Sequence, residues 1–290
     1  MKARPRAPDG GEELANAPAA RRALGTLVSG DERQIDLARA ALLIAAEEYP
    51  RLEPRAYLEQ LDSLGETVRA RVAHEPEPER QVAALNALLF GEEGFRGNES
   101  SYYDPRNSYL NQVLERRLGI PITLSLGYVE VGRRAGLPLS GVSFPSHFLV
   151  AYEDEPRLLI DPFNCGRLLS VPDCEHMLLE AFGSSARLQH AYLAPSPPRA
   201  MLVRLLTNLK LAYQRAGDLQ RALRVSEQLL VVQPSAAGLR DRGLLRFRLA
   251  DFQGATTDLD QYLESEPGAP DAPAISRELA VIRHLHERRN

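Results

Sequence analysis

The sequence predicts an α+β domain, made of helices and a small antiparallel sheet, followed by an all-α array of helical repeats. Apolar residues recur at helical spacing through most of the first 130 residues. Short runs rich in Val, Leu, Ile and Phe, which are typical of strands, follow Gly136. A segment near the C-terminus repeats at an offset of 33 residues, which is typical of helical repeat arrays.

The composition is that of a soluble globular protein. The chain of 290 residues is long enough for two domains, and it has no apolar run near the ~20 residues of a membrane helix. Its start lacks the apolar core of a secretory signal and its two cysteines suit a reducing compartment, so we expect a cytoplasmic protein. A net charge of -4 without a dense basic block makes nucleic acid a poor candidate partner. No cofactor is expected, and Cys165, Cys174 and His176 match no strong zinc pattern.

The first part of the chain is predicted to be helical after a flexible leader. Residues 1–28 are rich in Pro, Gly, Ala and charge without periodicity, which predicts a mobile segment. Ser29 and Glu32 have the spacing of a capping box, so the first helix is predicted to run from Ser29 to Pro50. Further helices are predicted at about 53–71 and 77–90.

Two more predicted helices meet at residues 119–121. The segment NSYLNQVLERRL places its apolar residues on one side, and Gly119 follows where a helix commonly ends. Ile120 precedes a proline and is disfavoured in the α region, whereas Pro121 suits the first position of a helix. The helix that starts there is apolar around most of its circumference, so we expect it to be buried centrally.

The strand-like runs GVSF, HFLVAY and RLLID predict the sheet. The turn-forming sequence EDEP between the last two runs predicts an antiparallel hairpin. If the hairpin loop spans five residues, His147 lies opposite Asp161 and both side chains share one face. A slip of one residue would place them on opposite faces.

An internal repeat predicts the second domain. Segment 208–234 aligns without gaps on 241–267, although Tyr213 falls on Arg246. The offset of 33 residues is within one residue of the tetratricopeptide period, and the segment ISRELAVIRHLHERR is expected to cap the array. The segment PSPP is expected to be a linker. The predicted domains are residues 29–194, with a helical N-terminal part at 29–98, and residues 199–290.

These motifs resemble a known bacterial family. The stretches YYDPRNSYLNQVLERRLGIPITLSLGYVEVGRRAGLPL, FPSHFLV and DPFN, with the repeats, are similar to proteins that join a transglutaminase-like domain to tetratricopeptide repeats. SirB-type members of this family are described as regulators of invasion-gene expression. The resemblance covers roughly residues 30–270. It implies a papain-like transglutaminase fold, in which a cysteine at the start of a buried helix meets a histidine and an aspartate on neighbouring strands.

The resemblance also implies where these three positions lie. His147 falls at the histidine position and Asp161 at the aspartate position, whereas Pro121 occupies the cysteine position. In the superfamily arrangement the helix N-terminus and the imidazole lower the pKa of the thiol, and the carboxylate orients the imidazole. Proline supplies no nucleophile, so the resemblance favours a vestigial site. Spacing alone favours a structural role for the histidine and the aspartate, and such a pair can bind a ligand without catalysis.

Two other residues are candidate replacement nucleophiles. Ser125 lies one turn after Pro121 on the same helix face, and its hydroxyl would point toward His147 if it acted as a nucleophile. A bond from Ser125 to the carbonyl of Pro121 is the favoured alternative in a buried helix. Cys165 follows Asp161 in the turn DPFNCGR, where an ordinary small residue is the favoured interpretation.

Further residues are candidates for ligand contacts. The candidates for the cleft are Asn107, Asn111, Tyr103, Asn164 and Cys165, with Tyr102 and Tyr109 nearby. A helix-capping role for Asn107 and a core position for Tyr109 are open alternatives. Basic residues in the repeats favour an acidic peptide in their groove, or else form a solvated helix face. These basic residues are Arg204, Lys210, Arg215, Arg221 and Arg224.

The sequence therefore predicts a cytoplasmic pseudoenzyme. Its cleft would recognise a peptide or small ligand, and its repeats would bind a protein, with no role for nucleic acid or membrane. The alternative is a cysteine- or serine-dependent amidase, protease or acyl transferase that uses His147 and Asp161.

Overall fold

The computed structural model of this protein describes residues 13–155 and 157–287, without the side chains of residues 13–17. The chain divides into two compact units between Leu205 and Leu206, inside the helix Pro198–Arg215. Each unit is described by itself. Among the described residues, no helix combines the length and the apolar character that a membrane crossing demands.

The first unit combines helices with a small antiparallel sheet, as predicted. Its helices are α1 (Glu13–Val28), α2 (Leu37–Ala46), α3 (Pro54–Val72), α4 (Pro78–Asn86), α5 (Leu110–Arg116), α6 (Pro121–Arg134), α7 (Val171–Phe182) and the start of α8 (Pro198–Arg215). Its strands are β1 (Arg96–Gly97), β2 (Leu118–Gly119), β3 (Leu139–Val142), β4 (Leu149–Tyr152), β5 (Leu158–Asp161), β6 (Arg167–Leu169) and β7 (Pro195–Ser196). The sheet has the order β6-β5-β4-β3-β7, and β1 pairs with β2 in parallel.

The segment predicted to be a linker is part of this sheet. Pro195 and Ser196 form β7 and pair with Val142 and Gly141 of β3. The prediction that residues 195–198 form a linker is therefore wrong for residues 195 and 196. The short strand sits at a sheet edge, where a proline that lacks an N–H is tolerated.

Helix α1 contradicts part of the predicted leader. Residues 1–12 of the leader lie outside the described residues, but Glu13–Val28 is helical. Leu24 is buried, and the guanidinium of Arg21 donates two hydrogen bonds to the buried carboxylate of Glu47, which directly follows α2. The leader prediction is wrong here because contacts with α2 stabilise a helix whose own sequence pattern is weak.

The next helix starts later than the capping-box pattern predicts. Ser29 donates its hydroxyl to the carbonyl of Thr26 at the end of α1. Helix α2 begins at Leu37, where the carboxylate of Asp36 accepts the N–H of Arg39. An aspartate directly before an apolar run is an equally strong N-cap, and here it is the one used. The helices predicted at about 53–71 and 77–90 are confirmed as α3 and α4.

The junction before α6 has the predicted proline but a different helix end. Arg117, rather than Gly119, takes the left-handed conformation after α5, with φ 61°. Gly119 instead lies in β2. Helix α6 begins at Pro121 as predicted, and the hydroxyl of Thr123 accepts the N–H of Ile120 at this start. The first six residues of α6 are buried, which confirms a central helix.

The sheet is covered on both faces. Strands β3 and β4 are buried along their whole length, and α6 contacts both of them. Leu149, Ala151 and Leu159 pack on the opposite side with Cys174 and Leu178 of α7. The β4–β5 hairpin therefore lies between helices on both faces of the sheet.

The β4–β5 hairpin is antiparallel as predicted, but its register differs by two residues. Tyr152 pairs with Leu158 and Val150 pairs with Ile160. Continuing this register, Asp161 lies opposite residue 149 rather than residue 147. His147 lies in a bend before β4 rather than in the strand, and its side chain meets that of Asp161 there.

The second unit is all-α, as predicted. After the end of α8 it contains α9 (Leu219–Val232), α10 (Ala236–Arg248), α11 (Phe252–Ser265) and α12 (Ala272–Glu287). Asp218 and Asp251, which align in the two repeats, cap α9 and α11 in the same way. Helix α12 packs on α11 through Ile275, Leu279 and Ile282, as expected of the last helix of an array.

A buried ion cluster explains the mismatch between the two repeats. Asp258 is 1% exposed, and its carboxylate accepts hydrogen bonds from Arg242 at 2.8 and 2.6 Å and from Arg246 at 2.9 Å. The equivalent residues of the first repeat are Leu209, Tyr213 and Val225, all buried. An apolar triad in one repeat is thus replaced by a charged triad in the other.

Candidate functional site

The candidate site is built around a contact between His147 and Asp161. Nε2 of the imidazole lies 2.9 Å from Oδ1 of the carboxylate, and the histidine side chain is 14% exposed whereas the aspartate side chain is 3% exposed. Asp161 ends β5, and its Oδ1 also accepts the N–H of Phe163 at 3.1 Å. Oδ2 accepts the side-chain amide of Asn164 at 2.7 Å. The carboxylate is therefore fixed by its own turn while it orients the imidazole.

This environment holds Asp161 in its ionised form. Burial of Asp161 raises its pKa, but the hydrogen bond and charge of His147 and the hydrogen bonds from Asn164 outweigh burial. The pKa of Asp161 is therefore lowered from its ordinary value. An ionised carboxylate beside an imidazole supports either a ligand-binding pair or the orienting half of a catalytic triad.

The lowered pKa of Asp161 predicts a pH-dependent contribution to stability. A carboxylate whose pKa is lowered by folding stabilises the fold above its unfolded pKa of about 3.9, and this contribution is lost as the pH falls through the folded pKa. We expect Asp161→Asn to lower the free energy of unfolding by about 1–3 kcal/mol at neutral pH. The difference from wild type should shrink below about pH 4. Urea unfolding at neutral pH and below about pH 4 measures the free energy of unfolding of wild type and variant. Asp154→Asn in the exposed hairpin loop is the control. A difference between wild type and Asp161→Asn that does not change with pH contradicts the prediction.

The predicted nucleophile positions do not place a hydroxyl or thiol on the imidazole. Pro121 is buried at the first position of α6. The hydroxyl of Ser125 is buried and donates to the carbonyl of Phe148 at 3.3 Å, so it is bonded neither to Pro121 nor to His147. Cys165 is exposed and takes the left-handed conformation, with φ 56°, at the end of the turn after Asp161.

The cysteines and His176 do not gather into a metal site. Cys174 is buried in the core under the sheet, where burial and then the charges of Asp173 and Asp161 raise its pKa to about 11. His176 lies on the exposed side of α7 beside Glu180, 3.2 Å away. Within residues 13–155 and 157–287, no group of three or more His, Cys, Asp or Glu side chains is arranged to hold a metal ion.

Aromatic rings form one wall of the site. The ring of Phe163 meets that of His147 edge-on, with centroids 5.9 Å apart. The ring of Tyr102 lies 6.2 Å from that of Phe163 and 5.2 Å from that of Tyr103, which is 44% exposed. Gly97 allows this packing, because a Cβ there would lie 2.6 Å from the ring of Phe163. The predicted residue Tyr103 thus lies at the outer end of a row of rings that reaches the imidazole.

Arg204 lies beside the same wall, although the sequence groups it with the basic residues of the repeats. It belongs to the first unit, and its Nη2 donates to the backbone carbonyl of His147 at 3.4 Å. Burial raises the pKa of Tyr102, an effect that the positive charge of Arg204 opposes and the proximity of Tyr103 reinforces. The grouping of Arg204 with the repeat groove is therefore wrong.

The predicted asparagines divide between the site and the core. Asn164 supports Asp161 directly. Asn107 is buried, donates to the carbonyls of Ser101 and Tyr102, and accepts from Asn98, so it is neither a helix cap nor open to the cleft. Asn111 is also buried, on α5, and among the described residues its Oδ1 has no hydrogen-bond partner.

Sequence reasoning missed Asn86, which anchors the turn after Asp161. Its side chain donates to the carbonyl of Gly166 at 2.9 Å and accepts the hydroxyl of Tyr128 in α6 at 2.9 Å. Gly166 has φ 75°, and a Cβ there would lie 2.0 Å from Asn86, so only glycine fits. The glycine in DPFNCGR was the available signal, but nothing in the sequence identifies its partner.

Several basic residues of the repeats are already paired. Lys210 lies 2.7 Å from the carboxylate of Asp241, and Arg221 lies 2.8 Å from that of Asp218. Burial raises the pKa of Asp218, but the hydrogen bonds and charge of Arg221 lower it. The charge of Arg224 lowers it further, and the net pKa lies below its ordinary value. Acidic partners thus neutralise part of the predicted basic face, and an acidic peptide in the repeat groove stays a prediction.

Two models of known families match the chain. The model of the transglutaminase-like superfamily matches residues 55–207, and a tetratricopeptide repeat model matches residues 209–280. The first match contains the His147–Asp161 contact, and the second begins in α8 and ends within α12.

Curated proteins are similar over much or part of the chain. A UPF0162 protein of Xylella fastidiosa is 40% identical over 261 residues, which cover 88% of this chain and 93% of that protein. The UPF0162 protein YchA of Escherichia coli is 32% identical over 211 residues, which cover 72% and 78%. The F-box only protein 21 of Homo sapiens is 40% identical over 104 residues, which cover 33% of this chain and 17% of that protein. No solved structure matches the chain.

Proposed function

Because this chain belongs to the UPF0162 family and joins a transglutaminase-like domain to tetratricopeptide repeats, we propose that it is a non-catalytic binding protein. The cleft beside His147 holds a peptide or small ligand, and the repeats bind a protein partner. A cytoplasmic location and a regulatory role, such as control of invasion genes exerted through that protein partner, belong to the same proposal.

The observation that carries the proposal is Pro121. It stands at the first position of the buried helix α6, where the superfamily arrangement requires a thiol, and its ring has no group that attacks a carbonyl. The hydroxyl of Ser125 is engaged by the carbonyl of Phe148, and Cys165 lies on an exposed turn. These positions favour a cleft that binds without a covalent intermediate.

The pair of His147 and Asp161 has a use in such a cleft. The imidazole is partly exposed and is held by an ionised carboxylate, while the ring of Phe163 packs against its edge. An oriented imidazole next to apolar rings offers a ligand both a directional hydrogen bond and a contact surface. His147→Ala is therefore expected to weaken ligand binding.

Labelling of the full-length protein by electrophilic probes tests the proposal. We expect no adduct on Ser125 with fluorophosphonates, and on Cys165 only the slow alkylation of an ordinary exposed thiol. His147→Ala is the control, because an activated nucleophile depends on its imidazole whereas an ordinary thiol does not. Adducts found by mass spectrometry that form fast in wild type and are lost in His147→Ala would refute the proposal.

The second candidate function is a serine- or cysteine-dependent amidase, protease or acyl transferase. The 2.9 Å contact between His147 and Asp161 favours it, since this contact is the orienting half of a triad. It requires Ser125 or Cys165 to move onto the imidazole. Hydrolysis that is lost selectively in Ser125→Ala or Cys165→Ala would establish this function in place of binding.

A further inference from the structure

The charge of Arg204 is not balanced by a neighbouring acid. Six arginines of the described part of the first unit are half-buried, and five of them have a carboxylate within 4.0 Å. Those five are Arg21, Arg116, Arg117, Arg134 and Arg199. Among the described residues, no carboxylate lies within that distance of Arg204, whose hydrogen bond goes to a backbone carbonyl. A half-buried cation without a counterion attracts an anion from outside.

The surroundings of Arg204 point to the kind of ligand. Its guanidinium has five N–H donors, and one of them makes the long 3.4 Å contact with the carbonyl of His147. Arg204 lies near Tyr102, on whose pKa its charge acts, and the ring of Tyr102 contacts that of Phe163 on one side and that of the more exposed Tyr103 on the other. The guanidinium fork matches a carboxylate in two parallel hydrogen bonds, and the rings suit the apolar part of the same ligand.

We infer that Arg204 makes the cleft beside His147 selective for peptides that carry a carboxylate next to an apolar group. This inference rests on the proposed binding function and names its ligand chemistry. A polyphosphate or nucleic acid fits less well, because a single arginine contacts few phosphates and the chain has a net charge of -4. The carboxylate is that of an Asp or Glu side chain or of a peptide C-terminus.

Matched peptides test the inference on the full-length protein. An array carries acetylated, amidated peptides in pairs, one with Asp or Glu beside Phe, Leu or Tyr and the other with Asn or Gln instead. A second arm carries the Asn and Gln peptides with a free C-terminus, which separates a terminal carboxylate from a side-chain carboxylate. Dissociation constants of the strongest binders are then measured by fluorescence anisotropy. We expect the acidic member of a pair to bind at least about tenfold more tightly than its amide counterpart.

Variants assign this preference to Arg204. Arg204→Gln should abolish it, and Arg204→Lys should retain part of it, because lysine keeps the charge but loses the fork. Arg187→Gln is the matched control, since Arg187 is exposed and also donates to backbone carbonyls. The comparison between acidic and amide peptides on wild type does not depend on whether a variant folds.

The outcomes separate the inference from the proposed function. Peptides that bind equally in acidic and amide form, or an acidic preference that survives Arg204→Gln in a folded variant, overturn the role of Arg204 and leave the binding function intact. Binding of no peptide at all overturns the inference and also contradicts peptide recognition by the cleft.

Discussion

Asp258→Ala is expected to lower the free energy of unfolding of the second unit by about 3–5 kcal/mol. The carboxylate is 1% exposed and accepts three hydrogen bonds from Arg242 and Arg246. Its removal takes away the bidentate partner of Arg242 and the nearest carboxylate of Arg246, which keeps only longer contacts of 3.6 Å with Asp251 and 3.8 Å with Glu227 among the described residues. Removing one partner of a buried ion pair is costly because the remaining charge is neither hydrated nor paired.

The first repeat supplies the design of the control. Its residues at these three positions are Leu209, Tyr213 and Val225, which fill the same place in the helix pair without charge. The triple variant Arg242→Leu, Arg246→Tyr, Asp258→Val introduces these apolar residues at the equivalent positions of the second repeat. We expect it to be at least about as stable as wild type, because replacing a whole buried ion cluster by apolar residues is often neutral or stabilising.

Hydrogen–deuterium exchange read by mass spectrometry locates the effect of Asp258→Ala. Peptides from α10 and α11 should exchange faster, while peptides from the sheet of the first unit should be unchanged. Denaturant unfolding gives the free energy. A change below about 1 kcal/mol for Asp258→Ala, the range of an exposed ion pair, would show that the cluster is hydrated and contributes little.

Pro121→Cys is expected to install a reactive thiol. A cysteine there lies at the N-terminus of α6, where the helix dipole favours a thiolate. The bond from Ser125 to the carbonyl of Phe148 joins α6 to the residue that follows His147, and the prediction takes the imidazole to face residue 121. We expect a thiol pKa below about 7.5 and alkylation by iodoacetamide near pH 6.5 at least about tenfold faster than that of an ordinary exposed thiol.

The other cysteines allow a clean measurement. Cys165 is exposed and is replaced by serine in the background, whereas burial of Cys174 raises its pKa to about 11 and keeps it unreactive. Addition of His147→Ala should slow alkylation of Pro121→Cys. An alkylation rate that does not depend on His147 would mean that residue 121 does not face the imidazole. That result would remove the main support for the proposal that the nucleophile has been lost.

The central helix and the hairpin are predictable from sequence because their signals are local. Ile120 and Pro121 set a helix start by sterics alone, and EDEP sets a turn between two apolar runs. The hairpin register is wrong by two residues, since loop length is not fixed by composition. Because side chains alternate between the two faces of a strand, an error of two residues leaves the predicted face of Asp161 unchanged.

The missed features depend on residues far apart in the sequence. Arg21 and Glu47, which hold α1, are 26 positions apart, and Asn86 and Gly166 are 80 apart. Arg204 and His147 are separated by 57 positions. Periodicity and turn chemistry report on neighbours along the chain, so they cannot reveal these pairs.

The hydrogen bonding of Asp161 decides which tautomer His147 adopts. Because the ionised carboxylate has no proton to give, a neutral imidazole in contact with it must carry its own proton on Nε2. The lone pair then resides on Nδ1, so a group that approaches this nitrogen has to be a donor such as an amide N–H. A ligand of the cleft therefore needs two groups of opposite polarity, an N–H donor at His147 and an oxygen anion at Arg204.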